Sequence, residues 1–274
     1  MNTTVKRSIS GAIFLAVMLG GLLLHEALYV LLFAFMTGAM LYEFYRITLG
    51  TVYGRLQYIA IFAGVFLFFM GHAFFFTGGK VWLLGFLAVM LVMAASVFQK
   101  DQTSFGKTAC LYAGLLYIAL PLALSNAVVC KDGEFNGLLM VAFFCIIWAS
   151  DVGAYVFGML LGQKIWPAKM CPLISPKKSW AGFVGGWVMA LVAAMILKAT
   201  GLMDFPWVHL LVMASLMHVS GVCGDLFESL WKRSFGVKDS GNLIPGHGGL
   251  LDRFDSSLFA IPAAYIYLLL LGLV

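Results

Sequence analysis

The sequence contains repeated apolar stretches of about 20 residues, and these constrain the fold more than any other feature. A helix that crosses the roughly 30 Å hydrocarbon core of a bilayer needs about 20 predominantly apolar residues. Hydropathy along the chain predicts about nine such spans. They cover residues 9–24, 27–45, 58–76, 81–98, 108–129, 137–157, 180–197, 207–226 and 256–274.

The composition excludes a soluble fold. Hydrophobic residues make up 62% of the chain and charged residues 11%, whereas soluble domains average about 45–50% apolar and about 25% charged residues. We therefore predict an all-α fold, a polytopic transmembrane helical bundle. With no linker or internal repeat, residues 1–274 are interpreted as one membrane domain, with scaffold spans over 1–136 and catalytic spans and cytoplasmic loops over 137–274.

The distribution of basic residues predicts the orientation. Cytoplasmic loops carry an excess of Lys and Arg, and all but three of the 17 fall on one side of a nine-span chain; Lys80, Lys131 and Lys198 lie on the other. This places the N-terminus in the cytoplasm and the C-terminus outside. The expected location is the cell (inner) membrane as a multi-pass protein, and the net charge of +5 requires no nucleic-acid partner.

Two acidic residues at membrane depth are candidates for function. Placing an ionised side chain there costs roughly 2.5–3.5 kcal/mol, so such residues mark functional sites by default. Asp151 lies in the sixth span, and Asp225 is expected to end the eighth, after Gly221 and Gly224 that permit close approach of a backbone or ligand. The alternative is a buried acid paired with a lysine. For Glu26 and Glu43, nearer the interfaces, a structural role is favoured, and Glu43 is expected to pair with Arg46.

A loop over residues 163–179 carries the pair Lys177 and Lys178 directly before the seventh span. Pro176 and the span beginning at Trp180 predict a helix N-terminus here, which is a natural phosphate site. Juxtamembrane lysines also bind anionic lipid, and this alternative stays open. Two small-residue patterns nearby, Gly158-x-x-x-Gly162 and Gly182-x-x-x-Gly186, are typical of close helix packing.

A charged segment, residues 228–255, concentrates both signs of charge around a glycine-rich turn from Pro245 to Gly249. Such a turn exposes backbone N–H groups that can bind phosphate oxygens, although most glycine-rich turns are ordinary loops. Lysines and arginine lie on one side of the turn, and Asp252 and Asp255 lie on the other. Carboxylates that bind magnesium, beside cations and amides that bind phosphate, indicate phosphoryl or nucleotidyl transfer.

These residues resemble the motif of the phosphatidate cytidylyltransferase (CDP-diacylglycerol synthase) family. The matching residues are Ser229-x-x-Lys232-Arg233, Lys238-Asp239-x-Gly241 and Pro245-x-His247-Gly248-Gly249-x-x-Asp252-Arg253-x-Asp255, supported by Ser150-Asp151, Ser175-Pro-Lys-Lys178 and Gly224-Asp225. The resemblance covers the C-terminal half strongly and the N-terminal half mainly by hydropathy and length. Trp231 departs from the aliphatic residue or Phe that the family usually has there.

The resemblance implies an enzyme that transfers the cytidylyl group of CTP to phosphatidic acid, on the cytoplasmic side of the bilayer. It implies Mg²⁺, or Mn²⁺, bound by Asp225 and Asp252, with Asp151 and Asp255 as further candidate ligands and a monovalent cation such as K⁺ beside it. The residues implied in catalysis are Asp225, Asp252, Lys238 and Arg233. Those implied in substrate binding are Ser175, Lys177, Lys178, Lys232, His247, Gly248, Gly249 and Arg253. Family members also suggest a homodimer.

Three other functions use similar parts. A CTP-dependent lipid-alcohol kinase, or a cytidylyltransferase acting on another lipid phosphate, needs the same phosphate and metal groups. A transporter of anionic metabolites also places acids and glycine breaks within spans, but transporters commonly show repeated halves. Here the polar residues cluster in one half of the chain, which favours an enzyme at the lipid–water interface.

Overall fold

The computed structural model describes residues 3–50, 54–98, 105–162, 165–246 and 248–274, and it is predominantly helical. Nine principal helices occur in these residues. They are α1 (Thr3–Leu23), α2 (Glu26–Thr48), α3 (Gly54–Thr77), α4 (Leu83–Val97), α5 (Phe105–Val129), α6 (Leu138–Leu160), α7 (Trp180–Ala199), α8 (Trp207–Ser234) and α9 (Ser257–Leu270). Each overlaps one predicted span, which confirms the all-α fold.

Seven of the described helices, α2 to α8, are long and apolar enough to cross a membrane, α4 together with the short 3-10 turn Lys80–Trp82 before it. The apolar parts of α1 and α9, Ser8–Leu23 and Ser257–Leu270, are shorter. Large apolar side chains such as Phe62 and Leu31 are exposed on the helix surfaces. A helix that is apolar on its outer face is typical of a membrane span, because its outer surface faces lipid.

The chain divides into two compact units. The first comprises Met1–Gly137 with Asp239–Arg253, and the second comprises Leu138–Lys238 with Phe254–Val274. The division near residue 137 lies close to the boundary predicted between the scaffold and catalytic spans. The segment 239–253, which we call the glycine-rich loop, belongs to the first unit, although the sequence suggested grouping it with the C-terminal spans. That the whole chain acts as one membrane domain stays a prediction.

The first unit has an aromatic core. Tyr29 and Phe33 of α2 lie beside Phe68 of α3, and all three side chains are fully buried. The Tyr29 hydroxyl and the Ser125 hydroxyl of α5 are hydrogen-bonded at 2.9 Å, which satisfies the polar end of the ring. A short antiparallel hairpin, β1 (Cys130–Lys131) with β2 (Glu134–Phe135), follows α5.

The second unit depends on close helix contact. A Cβ added at Gly182 of α7 would lie 2.8 Å from the backbone oxygen of Ala154 of α6, so only glycine permits this approach. Gly224 of α8 likewise lies against the backbone oxygen of Asp255. The first contact confirms the close packing that the spacing of Gly182 and Gly186 predicted, and the second confirms the close backbone approach predicted at Gly224. The two contacts fix the helices that carry Asp151 and Asp225.

Two predicted loops contain regular structure. Residues 163–179 include an antiparallel hairpin, β3 (Lys169–Cys171) with β4 (Ser175–Ser179), which hydropathy did not indicate. Helix α8 continues to Ser234, so the prediction that Asp225 ends a helix is wrong. The charged extension is stabilised by the Glu228–Lys232 ion pair one turn apart and by basic residues at the negative end of the helix dipole. The helix ends before Gly236, whose φ is 69°.

Candidate active site

The hairpin β3–β4 places the two predicted lysines at the start of a helix. Lys177 and Lys178 are in β4, and the strand leads directly into α7, whose N-cap is Ser179. The Ser179 hydroxyl accepts a hydrogen bond of 3.1 Å from the backbone N–H of Gly182. The helix N-terminus predicted at Trp180 is therefore confirmed, and its dipole adds positive potential beside the lysines. Ser175 begins the strand and pairs with Cys171.

Asp225 is held inside α8 by two neighbours. The ammonium nitrogen of Lys178 lies 2.7 Å from one carboxylate oxygen, and the Ser229 hydroxyl donates to the other at 3.4 Å. The side chains of Lys178 and Asp225 are 22% and 36% exposed, so both remain accessible to a ligand. This is the acid–lysine pairing that the sequence left open as the alternative to a functional role. A pair open to solvent at a cavity is compatible with both roles.

A cavity of about 280 Å³ in the second unit brings together four of the predicted site residues of that unit. Its lining includes Asp151 from α6, Lys177 and Lys178 from β4, and Asp225 from α8. These residues are far apart in sequence, and the fold brings two lysine side chains and two carboxylates into one cavity. An arrangement of this kind suits a phosphate ester together with a cation.

A third carboxylate, Asp255, lies close to this group. Burial, and then the nearby charges of Asp225 and Glu228, raise the pKa of Asp255 well above its ordinary value, and Asp151 contributes in the same direction. Carboxylates that repel one another are a donor set suited to a hard divalent cation, which would relieve the repulsion. No three Asp, Glu, His or Cys side chains in the described part of the chain are close enough to form a ready metal cage. The donors therefore fit Mg²⁺ in type, without being assembled around one point.

The basic residues of the extended α8 have different surroundings. The Lys232 ammonium lies 2.7 Å from a Glu228 carboxylate oxygen, and both side chains are buried. The Arg233 guanidinium is exposed and donates to the backbone oxygen of Val237 at 2.9 Å. Lys238 is exposed. The cluster predicted as a phosphate site thus consists of one paired, buried cation and two cations at the surface.

Asp252, in the first unit, stabilises the conformation of the glycine-rich loop. Its two carboxylate oxygens accept hydrogen bonds from the backbone N–H of Ser240 at 3.1 and 3.0 Å, and one accepts from the N–H of Gly249 at 2.8 Å. Gly246 and Gly248 have φ values of 79° and 88°, which favour glycine in this turn. A carboxylate oxygen has more than one acceptor site, so Asp252 can still bind a cation.

Glu43 of α2 is the second carboxylate that binds this loop. The sequence had favoured only a structural pairing for it. It accepts from the backbone N–H groups of Leu250 and Leu251 at 3.0 and 2.9 Å and from the Ser240 hydroxyl at 3.1 Å. The predicted partner Arg46 instead donates to the backbone oxygen of Ser240 at 3.3 Å. The sequence feature that could have identified Glu43 as functional is an acidic residue within an apolar span, the same feature that identified Asp151.

Several amides of this loop bind carboxylates of the chain itself, and within the turn from Pro245 to Gly249 that was predicted to bind phosphate this holds for the N–H of Gly249. Four of its N–H groups, on Ser240, Gly249, Leu250 and Leu251, are bound in this way. Gly248 and Gly249 remain close to Asp252, and Arg253 is exposed. His247 lies outside the described residues, as do Lys100 and Lys164 of the predicted cytoplasmic loops.

The fold and these sites define a polytopic helical membrane protein with an acid–base cavity suited to phosphate chemistry. Residues 5–271 match the cytidylyltransferase family. The chain belongs to this family, which confirms the resemblance drawn from its motifs and makes the protein a nucleotidyltransferase.

Curated relatives carry a common name, phosphatidate cytidylyltransferase. The chain is 38% identical to the protein of Bacillus subtilis over 188 residues, which are 68% of each chain. It is 36% identical to that of Staphylococcus saprophyticus over 184 residues, 65% of this chain and 66% of the relative. It is 32% identical to that of Rickettsia bellii over 191 residues, 68% of this chain and 81% of the relative. The match thus spans about two thirds of the Bacillus and Staphylococcus proteins.

Proposed function

We propose that this chain is a phosphatidate cytidylyltransferase, which converts CTP and phosphatidic acid to CDP-diacylglycerol and pyrophosphate. The observation that carries the proposal is the cavity where Lys177, Lys178, Asp151 and Asp225 meet beside the N-terminus of α7. The shared name of the relatives supports CTP and phosphatidic acid as the substrates.

In the proposed reaction, a phosphate oxygen of phosphatidic acid attacks the α-phosphorus of CTP. The new P–O bond forms as the bond between the α-phosphorus and the bridging oxygen breaks, and pyrophosphate leaves with that electron pair. The attacking phosphate is already ionised, so the reaction needs no protein base. Catalysis then consists of positioning the two phosphates and neutralising their charge.

The chain supplies that neutralisation from two directions. Lys177 and Lys178 bind triphosphate oxygens, and the helix dipole at the start of α7 adds partial positive charge. Lys178 exchanges its present partner Asp225 for a substrate phosphate. Lys232, Arg233 and Lys238 are proposed as further phosphate contacts. The remaining proposed substrate contacts are Ser175, His247, Gly248, Gly249 and Arg253.

The family implies a divalent cation, and the carboxylates of the second unit fit it in donor type. We propose that Asp225 binds Mg²⁺ or Mn²⁺, with Asp151 and Asp255 as nearby donors; Asp252 of the glycine-rich loop is likewise proposed as a cation ligand. When bound, the cation neutralises negative charge on the phosphates. A monovalent cation such as K⁺ is a further proposed ligand of the carboxylates.

We also propose a location and an orientation for the protein. The protein lies in the cell membrane with its active site toward the cytoplasm, where CTP is available, and the lipid substrate enters from the bilayer. The charge asymmetry of the loops supports this orientation. A homodimer is part of the proposal because the family resemblance suggests one.

A labelling experiment separates this function from its nearest alternative. Purified protein is given phosphatidic acid or a lipid alcohol, with CTP labelled at either the α- or the γ-phosphate. Cytidylyl transfer places only the α-label in the lipid, and phosphatidic acid is the acceptor. A lipid carrying only the γ-label would identify a CTP-dependent kinase and would overturn the proposal.

A further inference from the structure

Glu43 is an unusual residue for its position. It lies in the last turns of α2, within an apolar helix, and its side chain is only 5% exposed. Burying an ionised carboxylate in apolar surroundings costs free energy unless the group is paired or hydrogen-bonded. Such a cost requires compensating hydrogen bonds, and the contacts of Glu43 show where they come from.

Among the described residues, the three hydrogen bonds to the Glu43 carboxylate come from the glycine-rich loop. Two are backbone N–H groups, on Leu250 and Leu251, and the third is the Ser240 hydroxyl. Bonds from backbone amides to a buried carboxylate are charge-assisted and stronger than neutral ones. Residues nearly 200 positions later in the chain are thereby fixed to α2, at 2.9–3.1 Å.

Two glycines of the loop leave room for the carboxylate. A Cβ added at Gly249 would lie 2.6 Å from one Glu43 oxygen, and a Cβ at Gly241 would meet the other oxygen even more closely. Neither glycine has a positive φ, so their role here is to provide space and not an unusual backbone conformation. These two positions belong to the family motif, which gives a physical reason for glycine at both.

The same peptide units also bind Asp252. Ser240 donates its hydroxyl to Glu43 and its N–H to Asp252, while the adjacent N–H groups of Gly249 and Leu250 donate to Asp252 and Glu43 respectively. A rotation of this backbone that broke the Glu43 bonds would therefore also displace the donors that orient the Asp252 carboxylate.

We propose that Glu43 is a positioning residue for the reaction: it holds the glycine-rich loop so that Asp252 presents its carboxylate in a fixed direction. This inference rests on the proposed function, in which Asp252 contributes to cation binding. Partners that orient a ligand in this way typically change metal affinity or activity by about 10- to 100-fold when they are removed.

The test compares Glu43→Gln with Glu26→Gln, the same chemical change on the same helix, in full-length protein in detergent. Glu26 pairs with His72 and has no contact with the loop among the bonds described. Gln at position 43 keeps the size of the side chain but turns one acceptor into an N–H₂ group facing loop donors. Hydrogen exchange of peptides covering residues 240–252, kcat, and the Mg²⁺ concentration for half-maximal rate are measured on folded protein.

We expect Glu43→Gln to exchange faster in the loop, to lose about 10- to 100-fold in kcat and to need several-fold more Mg²⁺. Glu26→Gln should match wild type in loop hydrogen exchange, in kcat and in the Mg²⁺ requirement. If kcat per folded molecule and the Mg²⁺ requirement stay unchanged, Glu43 is merely structural and the proposal is overturned.

Two further measurements cover the cases in which the variant does not fold or the wild type is inactive. If Glu43→Gln does not fold, Ser240→Ala, which removes one donor to Glu43, must show the same changes in smaller degree; wild-type behaviour would overturn the inference. If wild type forms no CDP-diacylglycerol, the proposed function fails, and loop exchange alone then decides whether Glu43 fixes the loop.

Discussion

The Lys178 ammonium nitrogen lies 2.7 Å from a carboxylate oxygen of Asp225, so that strand β4 and helix α8 are joined by an ion pair at the cavity. Each partner neutralises the charge of the other. A phosphate group can take the place of Asp225 at the lysine, and a cation can take the place of Lys178 at the carboxylate. In the proposed reaction, we expect this pair to link binding of the nucleotide to binding of the metal.

We expect Lys178→Ala to raise the KM for CTP roughly tenfold or more, because a hydrogen bond to a charged group contributes about 1.5–3 kcal/mol. The half-saturating Mg²⁺ concentration should not rise, since the variant removes a competitor for Asp225. Steady-state kinetics at varied CTP and Mg²⁺ measure both. Lys169→Ala is the control, an exposed lysine on the paired strand β3. Unchanged CTP dependence in Lys178→Ala would favour the anionic-lipid role.

Asp252→Asn should lower kcat by about 100-fold. The amide removes a negative charge, and its NH₂ group replaces one of the two oxygens that accept from the backbone N–H of Ser240. Activity assays over a range of Mg²⁺ concentrations check this, with thermal unfolding in detergent to confirm folding. Asp204→Asn, at a 99% exposed side chain, is the control. Wild-type activity in folded Asp252→Asn would remove this residue from the metal site.

Gly182→Val should destabilise the contact between α6 and α7. The added side chain would collide with the backbone oxygen of Ala154, and overpacking of this kind typically costs about 1–3 kcal/mol. The midpoint of thermal unfolding should fall. Gly106→Val is the matched control, because a Cβ there meets no atom within 4 Å. Equal midpoints for the two variants would argue against close packing at Gly182.

Orientation can be tested with introduced cysteines. Lys131 in β1 and Lys169 in β3 are exposed, and the predicted topology places them on opposite sides of the membrane. In intact cells, a membrane-impermeant maleimide should label Lys131→Cys above the wild-type background and leave Lys169→Cys unlabelled until the cells are opened. The reverse pattern would invert the topology and place the β3–β4 hairpin outside.

Hydropathy predicted the helices well because the bilayer imposes one length and one polarity on every span. It failed where charged residues continue a helix: α8 extends to Ser234 because Glu228 and Lys232 pair one turn apart. It also missed the β3–β4 hairpin, since a strand as short as Lys169–Cys171 has too few residues to show an alternating pattern.

The sequence predicted which residue types form the site better than it predicted which of them contact one another. Lys178 and Asp225 were identified separately, from a helix N-terminus and from an acid at membrane depth, and the fold brings them together. Glu43 could not be linked to the glycine-rich loop, because the contact joins residues 207 positions apart and depends on space left by Gly241 and Gly249. Periodicity and local motifs carry no information about such distant pairs.

The central claim is most directly tested by product stoichiometry. Purified wild-type protein is incubated with CTP and phosphatidic acid, with Mg²⁺ or with excess chelator, and lipid products and pyrophosphate are quantified by mass spectrometry and a coupled assay. We predict CDP-diacylglycerol and pyrophosphate in equal amounts with Mg²⁺ and neither with chelator. Release of CDP with a phosphorylated lipid, or equal product formation in chelator, would contradict the account.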